Sequence, residues 1–142
     1  MSKEKPGVAD YPLAERHPDW VEGARGRRLD EVTLEALERG ELGMEDLRIT
    51  PAALRQQAAI ARAAGRPTLA QNFERAAEMV AIPQETVMQA YELLRPGRAK
   101  SKAELLEMAA GLRRDHGAER LAAFLEEAAA VYEKRGLFTY RY

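Results

Sequence analysis

Between residues 48 and 83, apolar positions recur at helical spacing, and two segments are punctuated at both ends. Thr50 suits an N-cap and Pro51 the first helical turn, where its missing N–H costs nothing. Gly65 suits a left-handed C′ residue, and Pro67 the opening of a second helix. In that second helix Leu69, Phe73, Ala76, Ala77 and Val80 fall on one face, opposite Gln71, Glu74, Arg75 and Glu78. The expectation is a helical hairpin whose alanine-rich seam lets two backbones approach closely.

The same reading extends along the chain. Residues 29–39 predict a short helix capped by Asp30 or Thr33, with Leu34 and Leu37 inward and Gly40 as its stop. Residues 44–47 add a further turn. Pro83 opens a helix with Val87, Tyr91 and Leu94 on one face, ended by Arg95, Pro96 and Gly97. Ser101 and Glu104 have capping-box spacing, and the helix they start buries Leu105, Ala109 and Leu112, with Leu106 beside them. A last helix over 118–135 uses Leu121, Phe124, Leu125, Ala128, Val131 and Tyr132. Lys134 and Arg135 suit its negative end, and Gly136 the C′ position.

No segment reads as a strand, so the predicted fold is all-α: a small helical domain of about five or six helices with an extended N-terminal arm. The arm, residues 1–28, begins with a polar lead that is expected to be disordered. Tyr11, Leu13 and Trp20 follow no helical or strand period, and Pro12 and Pro18 disfavour a helix. These apolar side chains need burial on the chain's own helices or on another subunit. The organisation is then 1–28 arm, 29–136 helical domain and 137–142 aromatic C-terminal tail, too short for a strand by itself.

At 142 residues the chain reads as one domain. Its net charge of −1 argues against nucleic acid and acidic membranes, which need clustered basic charge. With no cysteine there is no disulfide or thiolate chemistry. No apolar stretch approaches the ~20 residues of a membrane span, so a soluble, cytoplasmic protein is expected. The basic run 23–28 reads as a solvated turn, since no Gly-rich loop joins a strand to a helix there. His17 and His116 share no ligand spacing, and no metal site is expected. Glu45–Asp46 and Glu126–Glu127 are adjacent pairs, which point to different sides of a helix and read as solvated charge. The methionines Met44, Met79, Met88 and Met108 read as packing fillers. No nucleophile with a base, metal cluster or carboxylate pair assembles. From the residues alone, the chain is a helical domain with no catalytic constellation.

One ordered set of motifs goes further. Tyr11-Pro-Leu-Ala, His17-Pro-Asp-Trp20, Thr33-Leu, Arg48-Ile-Thr-Pro, Leu54-Arg-Gln-Gln-Ala, the run from Leu69 to Glu78, Ile82-Pro83, Tyr91-Glu-Leu-Leu-Arg-Pro96 and Ala128-Ala-Ala-Val-Tyr-Glu133 occur in this order. Together they resemble the small (gamma) subunit of adenosylcobalamin-dependent diol and glycerol dehydratases. The resemblance implies a radical lyase that converts 1,2-propanediol or glycerol to an aldehyde and water. It also implies large (alpha) and medium (beta) partner subunits in a dimer of heterotrimers. The large subunit would carry the substrate site, and the adenosylcobalamin would lie between large and medium subunits. No catalytic, cofactor or metal residue carries over to this chain. The partner interface is assigned to Tyr11, Pro12, Leu13, His17, Pro18, Trp20, Arg48, Asn72 and Arg75. The alternative is a stand-alone helical interaction or adaptor module, and a helix-turn-helix DNA-binding reading has only short helices and scattered arginines behind it. Gly97, the longer stretch after it, the short lead before Tyr11 and the aromatic tail depart from the family's usual pattern. Encapsulation in a bacterial microcompartment is left open.

Overall fold

Helix is the regular structure of the described residues, Lys3 and 5–138, in this computed structural model. Among them, Glu22 and Arg28 form an isolated antiparallel bridge. The chain divides into two units, Met1–Val80 and Ala81–Tyr142. In the first, 3-10 turns at Val8–Asp10, Pro18–Trp20 and Leu29–Glu31 alternate with short helices α1 (Leu13–Arg16), α2 (Leu34–Glu38) and α3 (Met44–Leu47), before a hairpin of α4 (Pro51–Ala63) and α5 (Pro67–Met79). The second contains α6 (Gln84–Leu94), α7 (Lys102–His116) and α8 (Glu119–Lys134). α4 to α8 each have eleven residues or more, so the all-α expectation holds. None of these helices is long and apolar enough to cross a membrane.

The hairpin forms where its punctuation predicts. Thr50 Oγ1 accepts the Ala53 N–H at 3.1 Å, and Pro51 occupies the first turn. Gly65 has φ +72°, and the Arg66 N–H reaches back to the Ala61 carbonyl at 2.8 Å, which closes the end of α4. Ala58, Ala61 and Ala70 form the seam, with Phe73 half-buried against it. The inward face of α5 matches the predicted one in part: Ala77 is buried and Phe73 and Ala76 are half-buried as expected, but Ala70 is buried too, while Leu69 and Val80 are exposed.

The same correction applies to other helices. On α2 only Ala36 is buried, and Leu34 and Leu37 point outward. On α6 Ala90 is buried and Tyr91 exposed. On α8 Ala122 and Ala129 are buried beside Leu121 and Leu125, while Phe124 and Val131 are exposed. Helical period groups residues onto faces, but the depth of the contact selects which face turns in. Where backbones meet closely a methyl fits and a larger side chain does not. On α7 Leu105, Ala109 and Leu112 are buried as expected.

Within the second unit Ala99, Leu105 and Ala129 anchor a core joined by Leu93, Leu94, Tyr132 and Phe138. The Tyr132 hydroxyl donates to the Leu94 carbonyl. Gly97 has φ +79°, with Pro96 before it and a bond from Arg98 N–H to the Arg95 carbonyl at 3.0 Å. This is the pattern of a type II turn, which explains a glycine at that point. Ser101 Oγ accepts the Glu104 N–H at 3.4 Å, but the Glu104 carboxylate accepts from Lys100 N–H at 3.0 Å, one residue before the predicted capping-box partner. Arg113 joins α7 to α8, donating to Glu119 at 2.8 Å and Glu126 at 2.7 Å. Glu126 is therefore half-buried and paired rather than solvated. Of the aromatic tail, 139–142 lie outside the described residues; Leu137 and Phe138 are half-buried.

The first unit carries a lock that the sequence reading misses. Residues 23–28 turn back so that Gly23 N–H donates to the Arg27 carbonyl at 2.8 Å. Arg25 grips both carboxylate oxygens of Asp46, with Nε at 2.9 Å, and its Nη2 donates to the Glu41 carbonyl at 3.2 Å. Arg27 Nη2 reaches the same carbonyl at 3.1 Å. Asp46 also accepts the Gly43 N–H at 2.8 Å, and its side chain is fully buried. The reading of Glu45–Asp46 as solvated charge fails at Asp46. Gly23 is needed here, since a Cβ would lie 2.8 Å from the Asp46 carbonyl oxygen.

Two expectations follow from this packing. Leu105→Ala, at a fully buried position, should cost about 2–5 kcal/mol by chemical denaturation, while half-buried Phe73→Ala should fall below the ~3–5 kcal/mol of a core phenylalanine. The Arg25 guanidinium, aided by the Gly43 amide, holds Asp46 at about 2, down from 3.8. Because the fold binds the ionised form, the stabilisation is complete above the ordinary carboxylate range and is lost as pH falls towards 2. Urea midpoints measured from pH 5 to pH 2 should therefore fall more steeply for the wild type than for Asp46→Asn. Parallel curves would show that the lock has no proton linkage.

Candidate functional site

The arm's geometry follows from single turns of helix separated by prolines. The proline argument holds in that no turn exceeds four residues between Val8 and Trp20. Its backbone is nonetheless turned rather than fully extended. Asp10, 4% exposed, accepts the Gly7 N–H at 2.7 Å and pairs with His17 Nε2 at 2.7 Å. The Gly7 amide, then His17, holds its carboxyl below the ordinary range. The His17 ring stacks on Trp20 with centroids 3.7 Å apart and planes 6° from parallel. Of the polar lead, Met1, Ser2 and Glu4 lie outside the described residues, but Pro6 is buried and the Lys3 carbonyl accepts from buried Gln56 of α4 at 3.1 Å. The arm is thus fastened to its own chain.

The structure brings six of the assigned interface residues together here, places Arg48 on a cleft shared with Leu13, and puts Asn72 and Arg75 on α5. Leu13 is buried within the unit, and Pro12, His17 and Trp20 are half-buried. Tyr11 and Pro18 are exposed. The apolar arm therefore divides, with Leu13 serving the chain's own core and Tyr11 facing out beside a cleft of about 410 Å³ lined by Val8, Ile60, Leu69 and Phe73. Arg48, exposed after α3, lines a second cleft of about 390 Å³ together with Leu13, Val21, Leu29 and Ile49. Asn72 and Arg75 lie on α5, where Arg75 donates to Asn72 Oδ1. Sequence reasoning missed Asp10, Arg25, Asp46 and Gln56. A signal existed for Asp10 and Asp46, each an acidic residue three positions after the glycine that precedes a helical turn. The others depend on partners brought together only by tertiary folding.

The electrostatics are those of a scaffold. A general acid needs a raised carboxyl pKa. Among the described residues, each carboxyl with a resolved shift (Asp10, Asp30, Glu41, Asp46, Asp115 and Glu126) is lowered, in every case by hydrogen bonds. Nor do the described residues contain a group of three or more His, Cys, Asp or Glu able to hold a metal ion. The arrangement fixes charges in place and leaves apolar side chains outward, which suits binding another protein.

Comparison with known proteins agrees with this picture. The profile of a family described as "Dehydratase small subunit" matches residues 7–139. Over 128 residues, 90% of this chain, the sequence is 48% identical to the propanediol dehydratase small subunit of Salmonella typhimurium, covering 73% of that protein. The identity to the propanediol dehydratase small subunit of Citrobacter freundii is also 48%, over 90% of this chain and 74% of that one. With a family match across nearly its whole length and two relatives at this identity, the chain belongs to the dehydratase small-subunit family.

Proposed function

We propose that this chain is the non-catalytic small subunit of an adenosylcobalamin-dependent diol dehydratase, and that it braces a catalytic large subunit. The observation that carries the reading is 48% identity, over 90% of the chain, to proteins named as propanediol dehydratase small subunits. The reaction is loss of water from a vicinal diol, 1,2-propanediol or glycerol, to leave an aldehyde. A large and a medium subunit complete the enzyme as a dimer of heterotrimers in the cytoplasm, and the cobalamin lies between those two.

The surroundings of the two histidines support that division of labour, because neither is placed to hold the cofactor. His17 commits Nε2 to Asp10 and its ring face to Trp20. His116 borders a cleft walled in part by Glu104, Glu107 and Asp115, a poor bed for a corrin ring. What this chain contributes instead is shape and fixed charge.

Co-expression with the large and medium subunits of the source organism tests the reading. All three chains should co-elute, and leaving this one out should lower the activity or the yield of the assembled enzyme. The isolated chain should not turn over diol. A small chain that elutes alone beside a fully active two-chain enzyme would favour a stand-alone adaptor instead.

A further inference from the structure

We propose that residues 29–49 form the docking ledge for a companion dehydratase subunit, one that presents basic side chains around apolar pockets. The inference rests on the small-subunit reading and adds the surface and the chemistry of its partner.

The first observation is exposure. Leu29, Leu34, Leu37, Met44, Leu47 and Ile49 are 40–69% exposed, six large apolar side chains within 21 residues of chain. Isolated exposed leucines need no explanation, but a concentration of this kind marks a contact surface. The second observation is charge. The same stretch carries seven carboxylates and two arginines, a net −5 within a chain of net −1, which leaves the rest at +4. Asp30, Glu41 and Asp46 are paired within the unit, whereas Glu35, Glu38 and Glu45 make no ion pair among the described residues. Exposed apolar side chains interspersed along the chain with free carboxylates call for a partner with the opposite charge. A second copy would set these carboxylates against their own equivalents across a two-fold axis, which disfavours self-association.

The third observation is rigidity. The ledge consists of a 3-10 turn, five-residue α2 and four-residue α3, elements too short to persist by themselves. Arg25 and Arg27 clamp it through Asp46 and the Glu41 carbonyl. Thr33 Oγ1 caps α2 at 3.2 Å, and Gly40, at φ +72°, closes it. A surface held in one shape before binding loses less entropy on docking.

The test uses the full chain and the purified large and medium subunits. Leu34→Ser with Leu37→Ser should weaken binding by about tenfold or more, with the melting temperature of the isolated chain unchanged. Glu35→Lys with Glu38→Lys should slow association and flatten its salt dependence. Met88→Ser, at an exposed apolar position in the other unit, should bind like the wild type. Wild-type binding with the same Kd in both ledge variants would overturn the ledge and leave the small-subunit reading intact. A wild type that fails to bind would sink both. A ledge variant that melts early, or that abolishes self-association seen by sedimentation, would also overturn the proposal, since the occupant would then be this chain itself.

Discussion

Close backbone approach through alanine is the constraint on which the rest of this structure depends. Eleven of the nineteen buried apolar residues are alanines, among them Ala58, Ala61, Ala70 and Ala77 in the first unit and Ala109, Ala122 and Ala129 in the second. A methyl at the contact lets helices lie close together, but it removes little apolar surface from water, about 0.8 kcal/mol per group against roughly 1.5–3 kcal/mol for a buried leucine. Tight seams also leave no room for larger neighbours. Leu69, Tyr91, Phe124 and Val131 are therefore turned outward on the same helices whose alanines are buried. The apolar surface that a leucine core would have consumed is left available to a companion.

Where the chain does bury polar groups, it spends them on joining short elements. Asp46 links the 23–28 turn to α3, Asp10 links the first 3-10 turn to His17, and Gln56 holds the backbone at Lys3. Each is paired, as buried polar groups must be. Asp10 and Asp46 lie in the part of the first unit without a long helix, and Gln56 reaches back to that part from α4. The long hairpins add ion pairs of Arg62 with Glu74 and of Arg113 with Glu126 to their caps and seams. Polar locks and alanine seams thus divide the first unit between them, one fixing the irregular half and the other the regular half.

Local chemistry was legible in the sequence, and depth was not. Thr50, Gly65, Pro67, Thr33, Ser101 and Gly136 act close to where they are read, because a cap is settled within four residues. The faces of α2, α5, α6 and α8 are legible only in part, because large apolar side chains such as Leu34, Leu69, Tyr91 and Phe124 count as inward on the pattern, whereas close approach selects small side chains. α7 was read correctly because its large and small apolar residues share one face. Asp46 was read as solvated because its arginine stands 21 residues away. The interface residues assigned from motif resemblance fall partly inside the unit, as Leu13 shows, since a motif records which residues matter without saying whether they face a core or a partner.

The chain's charge pattern points the same way as its packing. Where the carboxyls are shifted they are held ionised by amides, guanidinium groups or His17, so they act as fixed anions and do not exchange protons near neutral pH. Fixed anions confer no chemistry, but they do confer orientation. A −5 stretch on a chain whose remainder is +4 has a direction, and a partner of complementary charge feels it before the apolar side chains touch. Charge would set which face arrives first, and the exposed leucines of α2 would set how firmly it stays. For a subunit that braces a neighbour, one defined mode of attachment matters more than strength of binding, and acidic charge interspersed with exposed apolar side chains would supply it.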